Sequence, residues 1–163
     1  MDSYVVEGKN ISFQYQDSSE GIQDIHFSLK PGETILVTGN SGSGKSTFLK
    51  CLNGLIPRVV EGKLQGEILL NHQSTKDMSM AEISRHISSV FQNPRSQFFT
   101  TNTTSELVFS MENYGYKKDV MEAQLQQVTT LLKIQKLLNR DIFQLSGGER
   151  QMVAIASAMM LGQ

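Results

Sequence analysis

Tryptophan is absent, cysteine occurs once and proline only three times in 163 residues. A lone cysteine excludes an internal disulfide framework, so an apolar core must hold the fold. Cys51 itself sits in an apolar stretch and reads as a small buried hydrophobe. Neither sign of charge is in excess: 15 Lys and Arg stand against 16 Asp and Glu, a net charge of −1. That balance gives no bulk attraction for nucleic acid. No apolar run approaches the roughly 18 residues of a membrane span, and the first residues lack a signal-peptide pattern. The expected location is cytoplasmic. His26, His72 and His86 have no metal-ligand spacing and read as structural or surface residues. Two Asn-x-Ser/Thr matches, at Asn10 and Asn102, are chance matches in a chain with no secretion signal. No internal repeat or low-complexity tract is visible. What remains is ordinary globular composition, 39% hydrophobic and 19% charged, long enough for one domain with a sizeable core.

Glycine is where the sequence is informative. Gly39-Asn40-Ser41-Gly42-Ser43-Gly44-Lys45-Ser46 follows the pattern G-x-x-x-x-G-K-S. Thr34-Ile35-Leu36-Val37-Thr38 precedes it as a short β-branched run, the composition of a buried parallel strand. Ser46 to Asn53 follows with the composition of a buried helix. A strand, a glycine-rich turn and a helix are the context this motif needs. Glycines let the backbone curl with its N–H groups inward, and the positive end of the helix adds to them. Such a cradle holds polyphosphate. Lys45 supplies a point charge for the outer phosphates, and the Ser46 hydroxyl is placed to ligate Mg²⁺.

The remaining elements follow in order. Residues 3–16 alternate as a strand, with Val5, Ile11, Phe13 and Tyr15 as the apolar set. Asp17 to Gly21 is a turn, and Ile22 to Leu29 is a second strand. An antiparallel N-terminal sheet feeding a parallel core is the expected layout. Gly66 to Asn71 and Ile87 to Phe91 read as further strands. Ser79-Met80-Ala81-Glu82 has the capping-box pattern of a helix start. From Thr103 to Lys133 the pattern turns helical, opening on Thr103-Thr104-Ser105-Glu106 as a second capping box and pausing at Gly115. Met121, Leu125, Val128 and Leu132 recur at four, three and four, one apolar stripe packed against its own subdomain.

Leu145-Ser146-Gly147-Gly148-Glu149 then opens a helix running from Glu149 through Ala158, with Met152, Val153, Ile155, Ala156 and Met159 inward. Ser146 and Glu149 are explained locally as a capping box. The two glycines are not, because each costs up to about 1 kcal/mol in a helix relative to alanine. They suit a helix start that something, most naturally a phosphate, approaches closely.

A phosphate loop, then a helical insertion, then Leu145 to Glu149 resembles the ATP-binding cassette family. The resemblance spans the whole chain. It implies an α/β fold: a P-loop NTPase core with an N-terminal antiparallel β subdomain and an α-helical insertion. The divisions would be 1–93 for the β subdomain and phosphate-loop core, 94–145 for the helical subdomain, and 146–163 for the signature and its helix. By resemblance Tyr15 stacks on adenine, and Gly39, Asn40, Ser41, Gly42, Ser43, Gly44, Lys45, Ser46 and Thr47 hold the nucleotide. Gln92 matches the glutamine that touches Mg²⁺ and the attacking water. Ser146, Gly147 and Gly148 match the signature that closes on ATP held by an opposite subunit. Lys45 and Gln92 would be the catalytic residues, and Ser46 and Gln92 the metal-contacting ones. Val90 to Phe98 looks most like the ATPase subunits of energy-coupling-factor importers, which take up vitamins, cobalt or nickel.

The implied activity is ATP hydrolysis powering an importer. The implied partners are a second ATPase subunit and integral membrane transport subunits at the inner face of the membrane, with no nucleic acid. The chain departs from the family in one respect: no apolar run closes in Asp-Glu after the signature helix, and no switch histidine follows. It therefore resembles an amino-terminal piece of such a domain, lacking the C-terminal part of the core. Little or no turnover by itself is expected. The alternatives are a non-transport cassette ATPase of DNA repair or the ribosome, and a non-catalytic nucleotide-binding fragment. The first would carry long coiled-coil or basic insertions, and residues 94–145 hold no basic run.

Overall fold

The computed structural model describes residues 4–162, which form two compact units divided between Ile87 and Ser88. In the first unit four strands form one antiparallel sheet in the order β2-β1-β3-β4: β1 Val6–Tyr15, β2 Gly21–Leu29, β3 Gly62–Leu70 and β4 Gln73–Ser74. Phe13 lies opposite Ile22 on one side and Leu64 on the other. The apolar face of the sheet is covered by helix α1, Lys45–Leu52, and the short kinked α2, Leu55–Arg58. Ile11, Phe13, Phe48, Cys51, Ile56 and Ile68 form the buried cluster between them. Arg58 ties α2 to the turn at Thr75–Asp77, donating from Nη2 to the carbonyls of Thr75 (2.6 Å) and Met78 (2.8 Å). Helix α3, Met80–Ser84, opens on the expected capping box, with Ser79 and Glu82 each accepting from the other's backbone.

A bulge sets the phase of β1. The register slips between Lys9 and Ser12, where Asn10 is left-handed at φ 52°. Gly66 faces it, and a Cβ there would lie 2.3 Å from the Asn10 carbonyl oxygen. The extra residue brings Gly8 and Ile11, three apart, onto the same buried face. Upstream of the bulge it is therefore Val6, not Val5, that packs with Leu70, Met78 and Ile83.

The second unit is helical. Its helices are α4 Thr103–Asn113, α5 Lys118–Leu131 and α6 Gly147–Met159. Leu107, Met111, Val128, Ile134, Leu137, Leu145, Val153, Ala156 and Met160 form its core, and Met121, Leu125 and Leu132 of the stripe pack against it. Tyr114 caps α4 at its C-terminal end, and Gly115 follows with φ 72°.

Four further expectations are corrected. Residues 34–38 form no strand, and Ile35, Leu36 and Val37 are 48%, 84% and 42% exposed. Residues 87–91 form no strand either. The reason is the same for both: a strand is stabilised by a ladder, and no strand among the described residues pairs with these segments. Thr103 begins α4 but does not cap it. Asn102 does, its side chain accepting from the amides of Thr104 and Ser105, while the Thr103 hydroxyl is buried and donates to the Leu137 carbonyl at 2.6 Å. Finally, α6 starts at Gly147 rather than Glu149, since Ser146 is its N-cap.

Candidate functional site

The glycine-rich loop before α1 is built by backbone conformation. Gly39, Gly42 and Gly44 have φ of 152°, 81° and 87°. Gly44 is required twice over: it is the left-handed N-cap of α1, and a Cβ there would lie 2.6 Å from Ile22 Cγ2 of β2. Because the cap is glycine, the N-cap position supplies no side-chain bond to the first-turn amides of α1. Helices α3, α4 and α6 instead begin on side-chain caps at Ser79, Asn102 and Ser146. The start of α1 thus presents donors and a positive helix end to whatever enters the loop. Inside the curl, Lys45 Nζ donates to the carbonyls of Gly39 (2.8 Å) and Asn40 (2.6 Å) and to Ser43 Oγ (3.3 Å). Ser46 is exposed beside it.

Tyr15 belongs to the same unit. Its ring stands edge-on to Phe13, with centroids 5.0 Å apart, and its hydroxyl shares a 2.8 Å hydrogen bond with Thr47 Oγ1. Thr47 is buried in the first turn of α1, next to Lys45 and Ser46. A hollow of about 340 Å³ opens at the end of β1, lined by Gln14, Tyr15, Gln16, Gly62 and Lys63. The structure therefore gathers Tyr15 and residues 39–47 at one end of one unit.

Gln92, Ser146, Gly147 and Gly148 belong to the second unit. Gln92 is exposed, and the Pro94–Ser96 turn just after it lies against α6. At the start of α6 the capping box is complete: Glu149 Oε2 accepts from the Ser146 amide and hydroxyl, both at 2.9 Å. These bonds hold the Glu149 carboxyl below its ordinary pKa, and Arg140 and Lys136 add a smaller electrostatic lowering. Gly147 and Gly148 have no strained φ and nothing within 4 Å of a built Cβ. Neither backbone conformation nor packing within the chain requires glycine there.

Glu106, read from the sequence as the glutamate of a capping box, instead lies 3% exposed with its Oε2 accepting from the amides of Phe99 (3.0 Å) and Thr100 (2.8 Å). The loop it holds displays Phe99, which is 76% exposed and stacked on Phe109 at 4.8 Å. A charged residue inside an otherwise apolar helix face was the available signal.

An all-protein Mg²⁺ cage is not part of this arrangement: among the described residues no group of three His, Cys, Asp or Glu side chains is placed to hold a metal. The fit is to a cation held by the Ser46 hydroxyl together with phosphate oxygens and water, which is how Mg²⁺ usually binds. The glycine curl, the first turn of α1 with no side-chain cap and the Lys45 ammonium fit a polyphosphate.

Residues 22–163 match the family model described as ABC transporter, and the chain belongs to that family. It is 46% identical over 153 residues to a putative ABC transporter ATP-binding protein of Treponema denticola, covering 93% of this chain and 31% of that protein. It is 37% identical over 158 residues to one of Pyrococcus abyssi, covering 96% and 56% respectively. The chain thus spans between about a third and just over half the length of these relatives. Its fold matches cbiO1 from Clostridium perfringens, part of the ABC transporter complex cbiONQ, with a TM-score of 0.84 and 24% identity, over 98% of this chain and 62% of that one. The fold is the α/β ABC ATPase fold with its antiparallel N-terminal sheet. No helix among the described residues is long and apolar enough to cross a membrane.

Proposed function

We propose that this chain is the nucleotide-binding part of an ATPase that drives an energy-coupling-factor type importer of a vitamin or metal ion, at the inner face of the cell membrane. The observation that carries the reading is the Lys45 ammonium inside a left-handed glycine curl that opens an uncapped helix. In this reading the amides of residues 42–46 and Lys45 hold the outer phosphates of ATP, Ser46 contacts Mg²⁺, and Tyr15 packs on the base. Gln92 senses the metal and the attacking water. Ser146, Gly147 and Gly148 close on the nucleotide of a second ATPase subunit. The open space over both glycines supports that role. The exposed Phe99, whose amide donates to Glu106, supports contact with membrane transport subunits, since buried aromatic anchors dominate such interfaces.

ATP supplies the phosphoanhydride bond, and the chain's own contribution is positioning and charge neutralisation. No apolar strand closing in Asp-Glu occurs in these 163 residues, so they turn over ATP negligibly by themselves. The test is phosphate release by the full-length protein assembled with its membrane subunits. Release that Lys45→Ala abolishes is expected. Nucleotide binding with no release in that assembly would leave a non-catalytic nucleotide-binding protein instead.

A further inference from the structure

The bond between Tyr15 and Thr47 has a consequence for how a base would be held. Tyr15 ends β1, where the ladder pairs it with Gly62. Gly62 has no Cβ because one would lie 2.5 Å from the Phe13 ring and 2.3 Å from the Gln14 carbonyl oxygen. Phe13, 2% exposed, thereby backs the Tyr15 ring edge-on. The ring packs half-buried against the cluster between the sheet and α1, with the hollow beside it. The hydroxyl supplies a second fixed point: Thr47 Oγ1 at 2.8 Å. Thr47 is anchored in α1, two residues after Lys45, and is 7% exposed.

We infer that Thr47 is a positioning residue, which fixes the Tyr15 ring relative to the phosphate loop so that base and phosphates are gripped as one preset unit. This rests on the nucleotide reading of the loop. The physical gain is preorganisation, because a ring already immobilised loses no side-chain entropy when a base stacks on it. A hydroxyl-to-hydroxyl bond that only satisfied two buried groups would stabilise the fold and leave binding alone.

The test measures Mg²⁺-dependent binding of ATP and of inorganic tripolyphosphate by calorimetry in the full-length protein, with circular dichroism to verify folding. Four variants are compared: Tyr15→Phe, Thr47→Val, the double variant and Thr47→Ser. Tyr15→Phe keeps the ring and loses only the hydroxyl. Each single loss is expected to weaken ATP about three- to tenfold, the span of one hydrogen bond. The double variant should fall no further than either single one. Tripolyphosphate affinity should be unchanged, and Thr47→Ser should restore ATP binding. Unchanged ATP affinity, additive losses or a parallel loss of tripolyphosphate affinity would each overturn the inference. The last would place Thr47 on a phosphate rather than behind Tyr15. If the unsubstituted protein bound neither compound, the nucleotide reading itself would fall.

Discussion

Lys45 Nζ lies 2.6 Å from the carbonyl oxygen of Asn40, five residues back along its own loop. With the Gly39 carbonyl and Ser43 hydroxyl it closes the curl through a single ammonium. The lysine therefore cross-links its own loop. Lys45→Met removes the cross-link and the charge together. The expected result is faster hydrogen exchange at the amides of residues 39–45 without nucleotide. Nucleotide affinity in the full-length protein should also fall about ten- to a hundredfold, the scale of a charged hydrogen bond. Exchange mass spectrometry and calorimetry read the two effects separately. Unchanged exchange would show that the glycine conformations alone hold the loop.

The buried carboxylate of Glu106 accepts two backbone amides, at Phe99 and Thr100. Glu106→Ala leaves both donors without that acceptor, at a cost of about 1–3 kcal/mol. Thermal unfolding should show a clearly lower midpoint, with Glu106→Gln, which keeps one acceptor oxygen, in between. An alanine variant as stable as the parent would show that the loop finds other acceptors.

What the sequence revealed, and what it hid, divides by the range of the interactions involved. The capping boxes at Ser79 and Ser146 and the stripe from Met121 to Leu132 depend on residues within one or two turns. Those were legible. Thr103 and Asn102 are both good caps locally, and the choice between them is made by Leu137, thirty-four residues away, which takes the Thr103 hydroxyl. The bulge at Asn10 is settled across the sheet by Gly66. The runs at 34–38 and 87–91 have strand composition, but composition provides no neighbour to pair with. At the candidate site, the glycine-rich turn into α1 was legible because its pattern is contiguous, whereas the tie between Tyr15 and Thr47 joins positions thirty-two residues apart.

Leu36 is 84% exposed between Ile35 and Val37 in a run that joins no ladder among the described residues. An exposed apolar run whose backbone joins no ladder recruits strands from other copies. The 163-residue chain should associate with rising concentration in sedimentation velocity, and Leu36→Lys should suppress the association. Stability should change by no more than about 0.5 kcal/mol, as for other surface positions. A parent chain that stays monomeric at high concentration would contradict this.

Burial pushes the Cys51 thiol from 9.0 up to about 11. At pH 8 it should resist iodoacetamide in the folded chain and react once urea unfolds it. The folded thiol keeps its proton where the unfolded one has lost it, so its contribution to stability is full below pH 9 and is lost as pH rises toward 11. Rapid native labelling at pH 8 would mean that the core around Cys51 opens readily.

Glu149 provides a probe of the glycine pair at the start of α6. Its carboxyl is held below the ordinary glutamate range first by the Ser146 amide and hydroxyl, and less by Arg140 and Lys136. A depressed carboxyl stabilises the folded state fully above the unfolded value, and that contribution is lost as pH falls through the lower folded one. The start of α6 should therefore be unaffected at neutral pH and loosen only below the ordinary glutamate range. A carboxyl NMR titration should give a low midpoint that Ser146→Ala raises more than Arg140→Gln does. Glu82, lowered by Ser79 in the same way, is the internal control. In the full-length protein with nucleotide, a phosphate brought to Gly147 and Gly148 adds negative charge near Glu149 and should raise its midpoint while leaving that of Glu82 in place. Equal midpoints with and without nucleotide would show that no phosphate comes to this helix end.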